Sequence, residues 1–210
     1  MNYYPVFLNL KNKRTVVIGG GKVAERKIIQ LIKSGADITV VSPALTTRLL
    51  KEKAAKKFRH ISRRYVQGDL KNAFLVIAAT DSPEINTKVA DDAPALVNVV
   101  DVPSECNFIA PSVIRRGPML IAVSTSGTSP AISKAVRKEL EKSYGFEFSE
   151  YLKFTKKMRA KAFAEISGKN KRERFLKSLA SEEIIHSLRT KGVESVKNIV
   201  LSRLDKFRME

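Results

Sequence analysis

Three short stretches of this 210-residue chain carry residues whose types and spacing could do chemistry. Gly19, Gly20 and Gly21 interrupt "TVVIGGGKVAERK", where glycine costs backbone entropy and is kept only for a conformational or steric reason. Asp101 closes the run "VNVVD", and a carboxylate at a strand end can take a proton from a bound molecule. The same aspartate can equally do no more than support the turn through Pro103. "STSGTSP" (124–130) collects hydroxyls and backbone N–H groups ahead of a helix. It can hold a ligand carboxylate through Ser124, Thr125, Ser126, Gly127 and Thr128, or serve as an ordinary cap.

The glycines have a specific reading. In a strand–turn–helix of the form G-x-G-x-x-G/A, one glycine permits the turn and a second admits a pyrophosphate. A small third residue then lets helix and strand pack closely. Gly19, Gly20, Gly21, Lys22, Val23 and Ala24 fit that form, with Ala24 in the third role. The acid expected at the end of the next strand is missing. Ser42 and Pro43 stand there, and Asp37 precedes the strand. A serine can bond a ribose hydroxyl without repelling a 2′-phosphate, and Lys22 and Arg48 could favour one, so NAD and NADP are both open at this position. "AATD" places Ala79 and Thr80 beside the expected cofactor, with Asp81 as a cofactor neighbour or a cap before Pro83. Asn98, inside a strand, must bond a neighbouring loop or a ligand.

The elements that would position these residues follow from periodicity. β-branched and apolar runs at 15–19, 38–42, 63–68, 74–80 and 95–101 alternate with helical patterns at 23–34, 46–57 and 83–91. Strands separated by helices imply a parallel sheet with right-handed crossovers. After Asp101 two apolar runs meet at Gly117-Pro118, a hairpin signal, and a helix follows over 131–143 behind Pro130. Basic helical segments then run to the end, broken at Gly168-Lys169-Asn170 and at Gly192. The expected fold class is α/β. A Rossmann-like parallel-sheet domain covers 1–112, a small hairpin and helix cover 113–145, and an α-helical C-terminal domain covers 146–210.

Composition bounds the partners. The chain holds 39 Lys and Arg against 21 Asp and Glu, a net charge of +18. Residues 1–110 carry 17 basic and 10 acidic residues, and residues 111–210 carry 22 and 11. Such a surface attracts polyanions without saying which. Cys106 is the single cysteine, and with His60 and His186 it makes no metal-ligand set, so no metal site is expected. No apolar run has membrane-spanning length and no signal peptide is evident; a reducing, cytoplasmic setting is expected.

Four stretches read together resemble one family. "PVFLNLKNK", "VVIGGGKVAERKI", "VIAATDSPEIN" and "NVVDVPSECNFIAPSVIRRGPMLIAVSTSGTSPAISKAVRKELE" are similar to the precorrin-2 dehydrogenases of sirohaem synthesis. That group includes free-standing enzymes and the N-terminal part of bifunctional sirohaem synthases. The resemblance spans about residues 3–145. It implies NAD-dependent oxidation of precorrin-2 to sirohydrochlorin, with Asp101 catalytic and, in some members, ferrous iron inserted as co-substrate. It also implies a homodimer joined through 113–145, with the tetrapyrrole beside the helical domain. Precorrin-2 is a polycarboxylate, which gives the basic charge a specific target. An NAD(H)-sensing DNA-binding regulator is the alternative. It accounts for the charge but not for the lack of a helix-turn-helix pattern, which makes nucleic acid the weaker partner.

Overall fold

In the computed structural model, which describes residues 3–209, the chain forms two compact units meeting between Ala110 and Pro111. The outermost bounds of the expected first and last regions, residues 1–2 and 210, lie outside the described residues.

The first unit is a five-stranded parallel sheet with helices on both faces. In chain order it runs β1 (Arg14–Ile18), α1 (Lys22–Lys33), β2 (Asp37–Val41), α2 (Thr47–Ala54) and β3 (Arg59–Ile61). It continues with β4 (Leu75–Ala78), α3 (Pro83–Asp92) and β5 (Leu96–Val99). The strand order β3-β2-β1-β4-β5 reverses direction between β1 and β4. That reversal opens a crevice at the carboxyl ends of the strands, where sheets of this kind bind ligands.

Successive residues of β1 point to opposite faces and both faces are covered, so Val16, Val17 and Ile18 are all buried. Val17 joins Ala24, Ile28, Val40, Leu49 and Ile77 beneath α1 and α2. Val16 and Ile18 join Val41, Val76, Val89 and Val97 beneath α3. α1 supplies its face from Ala24, Ile28 and Leu31, spaced as a helix requires, and stops where Gly35 takes φ +72°.

The expected strand over 63–68 does not form; β3 lies earlier, at Arg59–Ile61, paired in parallel with Thr39–Val41. The physical reason is local. Asp69 accepts from the Arg63 guanidinium at 2.6 and 2.7 Å and from Val66 N at 3.0 Å. The segment therefore closes on itself as a turn instead of offering its edge to β2. α2 is also shorter than the helical pattern, because Lys56 takes φ +54° and ends it.

The second unit begins with an antiparallel hairpin, β6 (Ser112–Arg116) and β7 (Met119–Val123), turning at Gly117. α4 (Pro130–Ser143) follows, then α5 (Glu147–Glu165), α6 (Lys169–Ser178) and α7 (Glu182–Met209). The last three helices share a core of Phe148, Tyr151, Met158, Phe175, Ile184, Leu188, Val200 and others. Tyr151 donates to Leu179 O at 2.7 Å, and burial pushes its phenol up to about 12. Gly192 takes φ +80° and kinks α7. α4 differs from the others in that its one buried residue, Ser133, is polar, whereas α6 buries Phe175. Among the described residues no helix is long and apolar enough to cross a membrane.

Candidate functional site

A cavity of about 780 Å³ opens at the reversal point of the sheet. Its wall includes Gly19, Gly20 and Gly21 after β1, Ser42 to Thr46 after β2, Ala79 to Ser82 after β4, and Arg64 and Tyr65 from the loop after β3.

The three glycines meet different constraints. A Cβ on Gly19 would lie 2.2 Å from Ala79 O, and its φ of +119° excludes ordinary side chains. A Cβ on Gly20 would lie 2.0 Å from Ala44 O and 2.7 Å from Ser42 Oγ. Gly21 has no atom within 4 Å of that position and stands open. Thus Gly19 and Gly20 let three loops close on one another, and Gly21 leaves the room. Thr46 N donates to Gly20 O at 3.2 Å and Gly19 N to Val41 O at 2.9 Å, locking the arrangement.

α1 begins at this opening. Its N-cap is Gly21 and no side chain accepts from its first turn, whereas Thr46, Ser82 and Ser129 cap α2, α3 and α4. The free N–H groups and the positive end of the helix suit a phosphate. Lys22 and Val23 form that first turn, exposed and half-buried respectively, just outside the cavity wall. Open space at Gly21 beside an uncapped helix start fits the diphosphate of a dinucleotide. The residues that would hold it are Gly19, Gly20, Gly21, Lys22 and Val23.

The β2 side is firmly built. Ser42 is buried and its Oγ donates to Ala44 O at 2.7 Å, so the hydroxyl is turned into its own loop. His60 Nε2 donates to Ser42 O at 2.9 Å, and Lys53 Nζ donates to His60 Nδ1 at 3.1 Å. Because a carbonyl only accepts and an ammonium only donates, that pair of bonds requires the neutral Nε2–H tautomer. Pro43 is exposed at the rim.

Across the cavity, Thr80 is held by Asn86, a buried α3 residue that sequence reasoning passed over. Thr80 N donates to Asn86 Oδ1 at 3.2 Å, Thr80 Oγ1 lies 2.8 Å from the same oxygen, and Asn86 Nδ2 donates to Thr80 O at 3.2 Å. The only sequence signal was a polar residue on the core-facing stripe of α3. Ser82, not Asp81, caps that helix by accepting from Ile85 N at 3.3 Å; Asp81 is exposed in the cavity wall.

Asp101 lies one residue beyond Val100, in a turn after β5, with φ +64° and its side chain exposed. It is not part of the cavity wall. Its turn abuts that wall, because Val100 N donates to Ala78 O at 2.9 Å, next to Ala79. Cys106 fastens the turn from below. Its buried Sγ accepts from Val99 N at 3.1 Å and lies 3.2 Å from Val99 O and 3.3 Å from Val102 O, bracketing Asp101 on both sides. Asn98 Nδ2 donates to Phe108 O at 3.1 Å, so this buried amide ties β5 to the following loop. Lys27 of α1 feels the same neighbourhood. Burial, then Arg26, press its ammonium below the ordinary value, while Cys106 and Asp101 pull the other way.

In the second unit Thr125 organises the "STSGTSP" loop. Its Oγ1 accepts from Ser129 N at 3.0 Å and lies 3.1 Å from Ser133 Oγ, and Thr128 N donates to Thr125 O at 2.9 Å. Ser124, Ser126, Gly127 and Thr128 remain exposed, with φ of +53° at Ser126 and +87° at Gly127.

Comparison with known proteins gives a consistent picture. A family model described as "Putative NAD(P)-binding" matches residues 6–112, and one described as "Sirohaem biosynthesis protein central" matches 116–143. The siroheme synthase of Methylobacillus flagellatus is 43% identical over 144 residues, 67% of this chain and 31% of that protein. The siroheme synthase of Actinobacillus succinogenes is 34% identical over 209 residues, 98% of this chain and 44% of that protein. The chain thus spans less than half the length of these curated relatives. The solved structure named "SirC, precorrin-2 dehydrogenase" superposes with a TM-score of 0.82 at 26% identity, covering 98% of this chain and 100% of that one.

Proposed function

We propose that this chain, which belongs to the NAD(P)-binding family of sirohaem-biosynthesis proteins, oxidises precorrin-2 to sirohydrochlorin with NAD. The observation that carries the reading is the open, uncapped α1 start at the sheet reversal, two strands away from the Asp101 turn. NAD, when bound, supplies the hydride acceptor. The chain's own residues do the rest. Gly19 and Gly20 shape the crevice, Gly21, Lys22 and Val23 present N–H groups to the diphosphate, and Ala79 and Thr80 wall the far end. Asp101, exposed and in no close ion pair among the described residues although Lys27 feels its charge, takes the proton that leaves the macrocycle as the hydride departs. Ser124, Thr125, Ser126, Gly127 and Thr128 are proposed to contact the substrate, whereas Asn98, buried and spent on Phe108 O, supports the Asp101 turn. The excess of Lys and Arg suits a polycarboxylate ligand.

Ferrous iron as co-substrate would draw on the same carboxylate, since metal insertion also releases pyrrole protons. An anaerobic turnover assay with precorrin-2 and NAD, run with and without ferrous iron, tests both steps. Sirohydrochlorin is expected with the native chain. Asp101→Asn is expected to slow its formation about a hundredfold or more, the usual worth of a positioned acid–base group, while NADH binding is kept. A native chain that yields no sirohydrochlorin would remove the reading; an undiminished rate in the variant would remove Asp101 from it.

We also propose a homodimer formed through α4 and the hairpin. The support is that α4 keeps Ile132 57% exposed, with Val136 exposed one turn on and Val113 exposed on β6.

A further inference from the structure

We propose that the β2 side of the cavity is a subsite for a ribose phosphate with Arg64 as its cation, so that the chain binds NADP about as well as NAD. The inference rests on the cofactor half of the function proposed above and extends it to specificity.

In a sheet of this order the adenosine ribose lies beyond the end of the second strand. An acid there bonds the 2′-hydroxyl and repels a phosphate, whereas a nearby arginine accommodates the phosphate. Here β2 runs directly into buried Ser42, whose hydroxyl is spent on Ala44 O. Among the described residues no carboxylate lines this side of the cavity: Asp81 and Glu84 lie with β4 and α3, and Glu25 of α1, outside the lining, is engaged in accepting from Thr46 Oγ1. Asp37 sits at the opposite end of β2, paired with Arg59 at 3.0 Å.

Arg64 does stand in the wall, exposed, and among the described residues it has no ion pair. Its neighbours are fully engaged. Arg63 is held by Asp69, and the Tyr65 hydroxyl donates to Asp92 Oδ2 at 2.7 Å. The loop is also fastened to the β2 end, since Ser42 N donates to Ile61 O at 3.1 Å and Ser62 Oγ to Pro43 O at 3.4 Å. One free guanidinium is therefore carried between two anchored residues, beside the position a 2′-phosphate would take. A guanidinium and a phosphate form paired, charge-assisted hydrogen bonds, and such a site gains from being built before the ligand arrives.

The test is direct titration of the full chain with NADH and with NADPH. The chain has no tryptophan, so the nicotinamide emission is read against a clear background. The expected result is a dissociation constant for NADPH within about threefold of that for NADH at low salt. Arg64→Ala is expected to raise the NADPH-to-NADH ratio about tenfold, the scale of a lost charge-assisted contact, and Arg64→Glu to raise it further. Adenosine 2′,5′-bisphosphate is expected to displace NADH from the native chain and to do so poorly from Arg64→Ala. Native binding of NADH with NADPH a hundredfold or more weaker would overturn the inference. So would an Arg64→Ala variant that shifts both dinucleotides equally. Failure to bind either dinucleotide would instead overturn the cofactor reading itself, and the inference with it.

Discussion

Gly19 and Gly21 stand two residues apart and serve opposite needs. At Gly19 a methyl group meets Ala79 O at 2.2 Å in a backbone conformation that disfavours L side chains. Gly19→Ala is expected to lower stability by roughly 2 kcal/mol or more, read as a shift in the urea midpoint. At Gly21 the same methyl meets nothing, so Gly21→Ala is expected to leave the midpoint within about 0.5 kcal/mol of native. It is nevertheless expected to weaken NADH binding, because the methyl would enter the space left for the diphosphate. Equal stability losses in both variants would contradict this division of roles. The motif marked both glycines from sequence alone, yet Gly20 occupies a variable place in it. The need for glycine there comes from Ala44 O, twenty-odd residues away, which no local pattern reveals. Cys106 is a similar case. A lone cysteine carries no sequence signal, and its thiol was found to fasten the Asp101 turn only once β5 and the following loop were in place.

The loop between β3 and β4 shows how a short element is misread and what it does instead. "RRYVQG" has the composition of a strand, but Asp69 gathers Arg63 and the Val66 N–H, and side-chain pairing outweighs a weak β preference. The Arg63 guanidinium, first, and the Val66 N–H hold the Asp69 carboxyl below the ordinary carboxylate value, against the opposing effect of burial. A carboxyl depressed on folding contributes stability that is complete above its unfolded value and is lost as pH falls toward its folded one. The loop is therefore expected to loosen progressively below about pH 4, seen as faster proteolysis or amide exchange over 62–70. Asp69→Asn should show that loosening already at neutral pH. An Asp69→Asn chain protected like the native one at pH 7 would rule out this role. Because Arg64 and Tyr65 ride on this loop, its order also bears on the cavity wall.

The molecule as a whole combines a parallel-sheet unit with a helical one and a strongly basic surface. Residues 111–210 carry the larger share of the excess charge. A polycarboxylate substrate would be drawn to such a surface, and the attraction would be screened by salt. α4 buries no apolar side chain within the chain among the described residues and leaves Ile132 and Val136 exposed. Ile132→Glu is accordingly expected to convert a dimer to a monomer in light scattering while the far-ultraviolet circular dichroism is kept. A native chain that runs as a monomer at micromolar concentration would end the dimer proposal.

Much of this could be read from one line of residues, because its causes are local. Alternating apolar runs and amphipathic stretches specify strands and helices through periods of two and 3.6 residues, and the glycine motif specifies a turn by backbone freedom alone. The family resemblance rested on the same kind of short contiguous stretches. What awaited the fold were the long-range meetings: Asn86 with Thr80, Cys106 with the Asp101 turn, Asp69 with Arg63 in place of a strand, and Arg64 beside the end of β2. Each of these depends on which side chain finds which partner once loops distant in sequence share one edge of the sheet. Local periodicity carries no record of that choice.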